Sequence, residues 1–340
     1  MVACVLWVPS STYAMSNILS LLKSLLKTCV VMALGLFVCV VLLGIVYFPH
    51  DTDDLSLETS LNLDAADEFY EEVYSPVEPS VEGSGEDGSN DHEYVQTGRE
   101  AGETRGATET ATWFVEEYGL RDARVLEVGA GSGQLQDLVD DYTGLDIAAS
   151  AARFFHKPFV HGSATDLPFE DSEFDAVWTM WVLEHVLNPE LALAEMRRVT
   201  RDGGVILLAP AWNCPSWWAD GYQVRPYGDL DPKGKLIKAS LTLRAHPVYQ
   251  YAHLLSARLL RRAFWEIDGG GPTTFRYRRV TPNFDRYWVP DSDAVVSLDP
   301  YEAMLWHTSR GDECLNCAEG LSDRIMMGLH SLVIRVHKDE

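Results

Sequence analysis

The alternation of apolar and polar positions divides the chain into three regions. Residues 29–48 are twenty positions without a charged side chain, the length that a helix needs to cross the roughly 30 Å hydrocarbon core of a bilayer. Residues 49–98 are mostly polar and rich in Ser, Gly and Pro, with too few apolar side chains to build a core. From residue 99 onward, apolar segments of helical and strand spacing follow one another. The pattern predicts an N-terminal cytoplasmic or leader segment (1–28), a transmembrane helix (29–48), an acidic disordered linker (49–98) and one folded domain (99–340).

In the folded domain, the periodicity predicts strands separated by helices. Ala111, Phe114 and Tyr118 recur at helical spacing, and Asn188 with Pro189 is typical of the cap and first residue of a helix. Strands separated by helices form parallel βαβ units. The predicted fold class is therefore α/β, with a doubly wound, mostly parallel, Rossmann-like sheet of seven strands. Strand-like runs cover residues 125–128, 143–145, 159–161, 176–180 and 205–209, and the segments TTFRYRRVTP and HSLVIRVHK are expected to complete the sheet.

Negative charge is concentrated in the predicted linker. Fifteen Asp and Glu residues and no Lys or Arg lie between Asp51 and Gly98, so this segment carries well over half of the net charge of -24. A protein that follows nucleic-acid phosphates needs a basic surface, and we predict no nucleic-acid partner. The acidic segment is interpreted as a solvated spacer, with a docking tail for a basic partner as the alternative.

The cysteines give no clear metal-binding pattern. Cys314 and Cys317 form the motif CLNC, but no second CxxC and no nearby histidine supply the other ligands of a structural zinc site. The pair is interpreted as ordinary thiols, with a local disulfide or a metal site as alternatives. We predict no metal site from the sequence.

A glycine-rich turn follows the first predicted strand, in the sequence VLEVGAGSG. A dinucleotide-binding turn would need glycine at position 134, where the chain has Gln134, and the G-K-[ST] of a P-loop is absent. Glu127, two positions before Gly129, would repel a pyrophosphate but would attract an ammonium group. The turn is therefore predicted to bind a ligand other than a dinucleotide or a nucleoside triphosphate.

Two further acids describe that ligand. Asp146 ends the second predicted strand, where a carboxylate is suited to a ribose diol, and Asp166 lies where it could accept a hydrogen bond from an adenine amino group. Together with Glu127 and the glycine turn, they indicate a pocket for an unphosphorylated nucleoside with a positively charged tail.

Four segments in this order resemble the class I S-adenosylmethionine-dependent methyltransferases, in particular the type 11 group that includes quinone-biosynthesis enzymes. They are VLEVGAGSG, GLDIA, GSATDLPFEDSEFDAVWTMWVLEHV and LAEMRRVTRDGGVILLAP. The resemblance implies S-adenosylmethionine as the cofactor. The glycines would let the backbone approach this ligand, with Glu127 near its methionine end, Asp146 on the ribose and Asp166 near the adenine. The cofactor-binding residues that it implies are Glu127, Gly129, Ala130, Gly131, Gly133, Asp146, Ala164, Thr165, Asp166 and Met180. One departure is the short first crossover, in which QLQDLVDD is expected to form a short helix.

The acceptor side is less defined by the sequence. His185, directly after the fourth strand, is the candidate catalytic base, with a structural histidine as the alternative. An aromatic insertion at 211–251 is expected to form a lid over the acceptor, because aromatic faces suit apolar or ring-shaped molecules. Its candidate substrate-binding residues are Trp212, Trp217, Trp218, Tyr222 and His246. The segment that follows Tyr287, up to Glu313, is expected to add an inserted loop and helix near the acceptor.

Two observations bear on membrane topology, and they disagree. Lys23 and Lys27 precede the apolar span and no basic residue follows it before Arg99, which by the positive-inside rule places the domain outside the cytoplasm. S-adenosylmethionine, however, is made in the cytosol, and we expect the domain of this single-pass membrane protein to face the cytosol. A cleaved signal peptide is the alternative to the anchor, and Met1 or Met15 would be the start.

The predicted function is transfer of a methyl group from S-adenosylmethionine to a small-molecule, lipid, quinone or glycan-precursor acceptor. One alternative is a membrane-tethered binding or scaffold protein on an inactive methyltransferase fold. A second alternative is an NAD-dependent oxidoreductase.

Overall fold

The chain folds into two structural units. The computed structural model describes residues 11–55, 63–77, 91–286 and 288–338. The first unit consists of the residues up to Phe48 together with Ala245–Arg261, and the second of Pro49–Arg244 together with Arg262–Glu340. The helices are α1 (Ser11–Tyr47), α2 (Leu63–Tyr74), α3 (Glu93–Thr104), α4 (Ala107–Glu117), α5 (Pro189–Val199), α6 (Pro232–Arg244), α7 (Pro247–Ile267), α8 (Pro300–Thr308) and α9 (Leu321–Ile325).

Helix α1 forms most of the first unit. Its Leu19–Tyr47 part is long and apolar enough to cross a membrane, by length and composition. The helix begins well before the predicted residue 29, because the preceding sequence SLLKSLLK consists largely of good helix formers. Within this unit the Tyr47 ring stacks on His253 of α7 at 3.8 Å, and the Tyr47 and Tyr249 hydroxyls are 2.9 Å apart.

The second unit is built on a seven-stranded sheet with the order β3-β2-β1-β4-β5-β9-β8. Strands β1 to β5 pair in parallel, whereas β9 is antiparallel to both β5 and β8. The predicted α/β fold with a mostly parallel sheet is confirmed. The strands are β1 (Arg124–Val128), β2 (Asp141–Asp146), β3 (Phe159–His161), β4 (Phe174–Met180), β5 (Thr200–Ala209), β8 (Glu313–Cys314) and β9 (Leu332–Arg335), and a separate pair consists of β6 (Arg278–Arg279) and β7 (Val296–Ser297).

Alternate residues of the central strands pack on opposite faces of the sheet. On β1, Leu126 belongs to one buried cluster and Val125 to the other. Helices α5 and α8 contribute to the first cluster, through side chains such as Met196 and Met304, and α4 contributes Phe114 to the second. Full burial of such side chains stabilises a fold by about 1.5–3 kcal/mol each. The sheet is therefore a rigid platform for the loops at the carboxyl ends of its strands.

Three predicted elements differ from the structure. The first crossover contains turns instead of a short helix, because three glycines with positive φ and about a dozen residues leave little room for one. The segment TTFRYRRVTP does not join the main sheet: its backbone pairs with Asp51 and β7, and β8 takes the outer position. Cys314 and Cys317 form a local disulfide and are not free thiols.

The predicted disorder of residues 49–98 is wrong for the parts that the structure describes. Residues 63–74 and 93–98 are helical, and Val73 and Val95 are each only 2% exposed. Asp53 accepts hydrogen bonds from the amides of Glu190 and Leu191 at 3.2 and 2.9 Å, which caps α5 in place of the Asn188 side chain. Residues 56–62 and 78–90 lie outside the described residues. The acidic segment thus contains apolar positions that pack on the domain.

Candidate functional site

A cavity of about 840 Å³ lies at the carboxyl ends of β1, β2 and β4, within the second unit. Its walls come from the glycine turn after β1, the loops after β2 and β4, helices α2 and α3, and the segment 279–295. In parallel α/β sheets this edge is where ligands bind. A cavity of this volume can hold a nucleoside-sized ligand together with a second small molecule.

The glycine turn forms one wall because its backbone adopts conformations that other residues avoid. Gly129, Gly131 and Gly133 have φ angles of 76°, 49° and 68°. The amides of Gly129 and Ala130 both donate to the Leu145 carbonyl, at 2.8 and 2.9 Å, which fixes the turn against β2. A side chain at Gly129 would overlap Val182, whose Cβ lies 2.9 Å from the position of a Cβ at residue 129. Glycine is required here by both the backbone angle and the close approach.

Asp146 joins the glycine turn to the second loop. Its carboxylate accepts hydrogen bonds from the amides of Gly131 at 2.8 Å and Ala148 at 3.0 Å, and the side chain lines the cavity. Burial raises the pKa of Asp146 above its usual value, although these backbone donors oppose the shift. Each carboxylate oxygen has a second lone pair, so the group can also accept from ligand hydroxyls.

Glu127 is the buried acid at the end of β1, only 5% exposed. The Tyr142 hydroxyl donates to its carboxylate, and the side chain reaches the cavity. Burial raises the pKa of Glu127 to about 8, because a charge is poorly solvated there. The carboxyl is therefore mostly protonated at neutral pH until a cationic group enters the cavity and favours the ionised form.

Most of the predicted cofactor-binding residues meet at this cavity. The exceptions are Gly133, which packs against Gln136 and Phe155, and Asp166, which is exposed and whose amide bonds to the Ser163 carbonyl. The Asp166 side chain therefore does not line the cavity, whereas residues 162–165 of the preceding turn do. The predicted residues that line the cavity are Glu127, Gly129, Ala130, Gly131, Asp146, Ala164, Thr165, Met180 and His185.

The sequence analysis missed the wall formed by residues 63–77, which we call the strap. Glu71 anchors it, because its carboxylate accepts from the amides of Ala149 at 2.5 Å and Ser150 at 3.0 Å, at the start of a 3-10 turn after β2. The Arg153 side chain donates to the Tyr74 carbonyl at 2.8 Å. These bonds hold the strap over the cavity.

The strap and α3 supply aromatic side chains to the cavity. The Tyr74 hydroxyl approaches Gly131 closely, at 2.9 Å from the position of a Cβ there, and the Tyr70 hydroxyl donates to Asp293 at 2.9 Å. The amphipathic spacing of Phe69, Tyr70, Val73 and Tyr74 is the sequence signal that could have identified the strap. Other cavity residues that the sequence analysis missed are Tyr94, Arg279, Phe284 and Asp291.

His185 follows β4 and lies among acidic side chains at the cavity wall. Its Nδ1 is 3.4 Å from Asp293 and its Nε2 is 3.9 Å from Glu184. Glu184 is fully buried, and burial raises its pKa to about 7. Despite its own burial, His185 has a raised pKa, because Asp293, Glu184 and Asp291 favour its charged form. Its role as a base remains a prediction.

Of the predicted acceptor lid at 211–251, Ala211 alone among the described residues lines this cavity, and none of its candidate substrate-binding residues does. Trp212 packs against the main core and its indole donates to the His330 carbonyl at 3.1 Å, and Trp217 lies under the Arg244 guanidinium at 4.2 Å. Trp218 and Tyr222 also lie outside the cavity wall, and His246 belongs to the first unit. The strap and the segment 279–295 contribute to the cavity wall, and the acceptor role of the insertion stays a prediction.

Comparisons with known proteins show what the part of the chain that carries this site is similar to. Residues 126–208 match the family model described as a methyltransferase domain. A demethylmenaquinone methyltransferase of Renibacterium salmoninarum is 41% identical over 96 residues, which cover 25% of this chain and 40% of that protein. An uncharacterised protein of Methanocaldococcus jannaschii is 28% identical over 43% of this chain and 71% of its own length. The solved structure of DesVI from Streptomyces venezuelae is 20% identical over 37% of this chain and 62% of its own, with a TM-score of 0.32.

The matched region is the part of the chain that contains β1 to β5. The chain spans less than half the length of the demethylmenaquinone methyltransferases that it matches. S-adenosylmethionine is the cofactor expected of such a domain.

Proposed function

We propose, from the premise that residues 126–208 form a class I S-adenosylmethionine-dependent methyltransferase domain of the type 11 group, that this protein transfers a methyl group to a small ring-shaped acceptor. The observation that carries the proposal is the convergence of Glu127, Asp146 and the glycine turn on one cavity. A degenerate scaffold would have no reason to keep a buried carboxyl beside a turn that only glycine can form.

The residues of the cavity fit S-adenosylmethionine. The turn at Gly129 and Gly131 leaves a cradle that side chains would fill, Asp146 has lone pairs for the ribose hydroxyls, and Glu127 gains a partner in the ligand's ammonium group. When bound, the cofactor supplies a methyl group on a positively charged sulfur. The protein's part is to align the two reactants and to exclude water, which the strap and the buried strand ends accomplish.

The aromatic wall of the cavity, which would contact the donor as well, favours a flat apolar ring as the acceptor. Tyr70, Tyr74, Tyr94 and Phe284 form this wall, and aromatic faces bind rings by stacking and burial. The demethylmenaquinone methyltransferase of Renibacterium salmoninarum is named for a quinone acceptor. We place a quinone or another membrane-soluble ring first among acceptors.

An acceptor of this kind agrees with a membrane anchor. Helix α1 provides the apolar Leu19–Tyr47 segment, and α7 exposes an apolar stripe through Val248, Tyr251, Leu255 and Leu259. We place the second unit on the cytosolic side, where the donor is made. Protease protection in sealed vesicles tests the side, and protection of the second unit inside right-side-out cells but not in inverted vesicles is the supporting result.

Binding of S-adenosylhomocysteine to the full-length protein in detergent tests the donor site. We expect a single site by isothermal titration, with Asp146→Asn weakening it about tenfold, since one acceptor for the ribose hydroxyls is lost. Asp141→Asn is the matched control, because Asp141 lies at the other end of β2 and is exposed. Absence of binding to the wild-type protein, or equal loss in both variants, would contradict the proposal.

Donor affinity should depend on pH through Glu127. Its carboxyl, with a pKa of about 8 in the free protein, must lose a proton to pair with the ligand's ammonium group. Affinity is therefore expected to rise with pH, by up to about tenfold per unit between pH 6 and 8, and to level off above 8. Titrations in buffers of different ionisation enthalpy will report proton release. Glu127→Gln should remove the dependence, and a slope that persists in this variant would show that another group is responsible.

A further inference from the structure

The acidic side chains beside His185 form a cluster with the geometry of a metal centre. One ligand atom each from Glu184, His185 and Asp291 lies within 4.8 Å of the other two. Ligands on opposite sides of a bound divalent ion are about 4–5 Å apart, so one ion fits between these atoms after small shifts. Asp291 holds a left-handed backbone angle, with φ at 62°, which an ordinary residue adopts at some cost and which is common at functional sites.

Two buried carboxylate oxygens in this cluster have no hydrogen-bond partner. Glu184 and Asp293 have side chains that are 0% and 1% exposed. One oxygen of Glu184 accepts from the Ala211 amide at 2.9 Å, but its Oε2, like Oδ1 of Asp293, makes no hydrogen bond within the described part of the chain. Within the same part, no lysine or arginine forms an ion pair with Glu184, Asp291 or Asp293. His185 is the cationic neighbour of these acids, at 3.4 and 3.9 Å, and a divalent ion would satisfy the oxygens that it leaves without a hydrogen bond.

The neighbours of His185 resemble those of a metal-ligating histidine, although its Nδ1 makes no hydrogen bond within the described residues. Its Nδ1 is 3.4 Å from the Asp293 carboxylate, which in turn accepts from the Tyr70 hydroxyl at 2.9 Å. A histidine that binds a metal through one ring nitrogen commonly places the other against such a carboxylate, which orients the ring. This leaves Nε2, on the side of Glu184, to bind the ion.

We propose that Glu184, His185 and Asp291 bind one divalent transition-metal ion at the wall of the cavity, with Asp293 orienting His185. Two carboxylates and one imidazole suit Mn²⁺, since carboxylates are typical of Mg²⁺ and Mn²⁺ sites and imidazole of transition metals. The assignment replaces the role of base for His185, because a lone pair that binds an ion cannot accept a proton. No metal site is predicted from the sequence, because Asp291 follows Glu184 by more than one hundred residues and no short motif joins the two.

The ion would also define the acceptor, and this step rests on the proposed function. His185 and Asp291 line the same cavity as the donor residues. A hydroxyl bound to a divalent cation loses its proton to solvent more readily. The resulting oxygen attacks the methyl carbon, a carbon–oxygen bond forms, the carbon–sulfur bond breaks, and its electron pair neutralises the sulfonium. The acceptor class is therefore a ring with a hydroxyl group that can bind a metal, which among quinone-type acceptors selects a quinol or a hydroxylated quinone.

Titration of Mn²⁺ into the chelator-treated full-length protein in detergent, followed by electron paramagnetic resonance of the free ion, tests the site. We expect one Mn²⁺ per chain, with binding at least tenfold weaker in Glu184→Gln and Asp291→Asn. Asp137→Asn is the matched control, because Asp137 forms an exposed pair with His156 at 2.9 Å, and it should bind like the wild type. The thermal midpoint of the wild-type protein should also rise with Mn²⁺, which tests the site without any variant.

Three outcomes would overturn the metal site. The first is no loss of free Mn²⁺ signal up to about 1 mM with no change in midpoint, and the second is equal binding by the wild type and both ligand variants. The third is stabilisation by n-butylammonium and not by Mn²⁺, lost in Asp291→Asn, which would make the cluster a site for an organic cation. Titration of the same samples with S-adenosylhomocysteine separates the two proposals. Donor binding without Mn²⁺ binding would contradict only the metal site. Mn²⁺ binding without donor binding would contradict only the proposed methyl transfer.

Discussion

Gly129→Ala is expected to lower the affinity for S-adenosylhomocysteine by more than one hundredfold. Gly129 has a φ of 76°, and an added Cβ would overlap the Val182 side chain after β4. The left-handed angle alone costs an alanine about 1–2 kcal/mol, and relief of the overlap must move either the turn or the β4 loop. Both of these line the cavity. Isothermal titration measures the affinity, and thermal unfolding should show a loss of stability of about 2–4 kcal/mol.

Gly203→Ala is the control that separates the steric overlap in Gly129→Ala from the cost of the left-handed backbone angle. Gly203 has a similar φ of 71°, but no atom lies within 4 Å of the position of its Cβ. It lies within β5, away from the cavity wall. This variant should lose about 1–2 kcal/mol of stability and keep its donor affinity. If Gly129→Ala and Gly203→Ala bind the ligand equally well, the glycine turn does not form the donor site.

The features that could be predicted from the sequence are those whose determinants lie close together in the chain. The turn after β1 is specified by three glycines within five residues, and Asp146 is the last residue of the strand paired with β1. Parallel pairing brings the ends of neighbouring strands to one edge, so local sequence suffices to place these groups together. Asp166 could not be placed in this way, because it follows β3 by several residues and its side chain is exposed to solvent.

The missed residues depend on contacts between distant segments. Composition made residues 49–98 resemble a spacer, since fifteen acids outweigh the few apolar positions. Two of those acids nevertheless bind helix-type amide groups: Asp53 at α5 and Glu71 at the turn that begins at Ala149. Free amides at the start of a helix or turn accept any nearby carboxylate as a hydrogen-bond partner. The sequence around Asp53 or Glu71 therefore does not indicate which distant amide each one binds.

The strap changes the meaning of the acidic segment. If it were only a tether between a membrane helix and a domain, its sequence could vary freely at constant length. In the structure Tyr70 and Tyr74 line the cavity, so this segment also completes the cavity wall. A protein cut at residue 99 would retain the strands and the glycine turn but would lose that wall.

Replacement of residues 63–77 by a Gly-Ser sequence of equal length is expected to weaken S-adenosylhomocysteine binding by about one hundredfold. The change removes the Tyr70 and Tyr74 side chains from the cavity wall and opens it to water. Loss of contact with two large aromatic side chains, at about 1.5 kcal/mol each, corresponds to about two orders of magnitude in affinity. The change also removes the buried Val73, so the thermal midpoint should fall too, and binding is measured well below the midpoint of the variant.

Substitution of two neighbouring glutamates tests whether the weaker ligand binding comes from loss of the strap's anchor to the domain or from its changed amino-acid composition. Glu71→Ala removes the carboxylate that accepts from the Ala149 and Ser150 amides, whereas Glu72→Ala removes an exposed acid from the same helix. Both variants lose one negative charge and gain the same helix propensity, so their difference isolates the anchor. We expect Glu71→Ala to weaken binding about tenfold and Glu72→Ala to leave it unchanged. Equal affinities in the two variants, together with unimpaired binding by the Gly-Ser replacement, would show that the strap lies over the cavity without contributing to it.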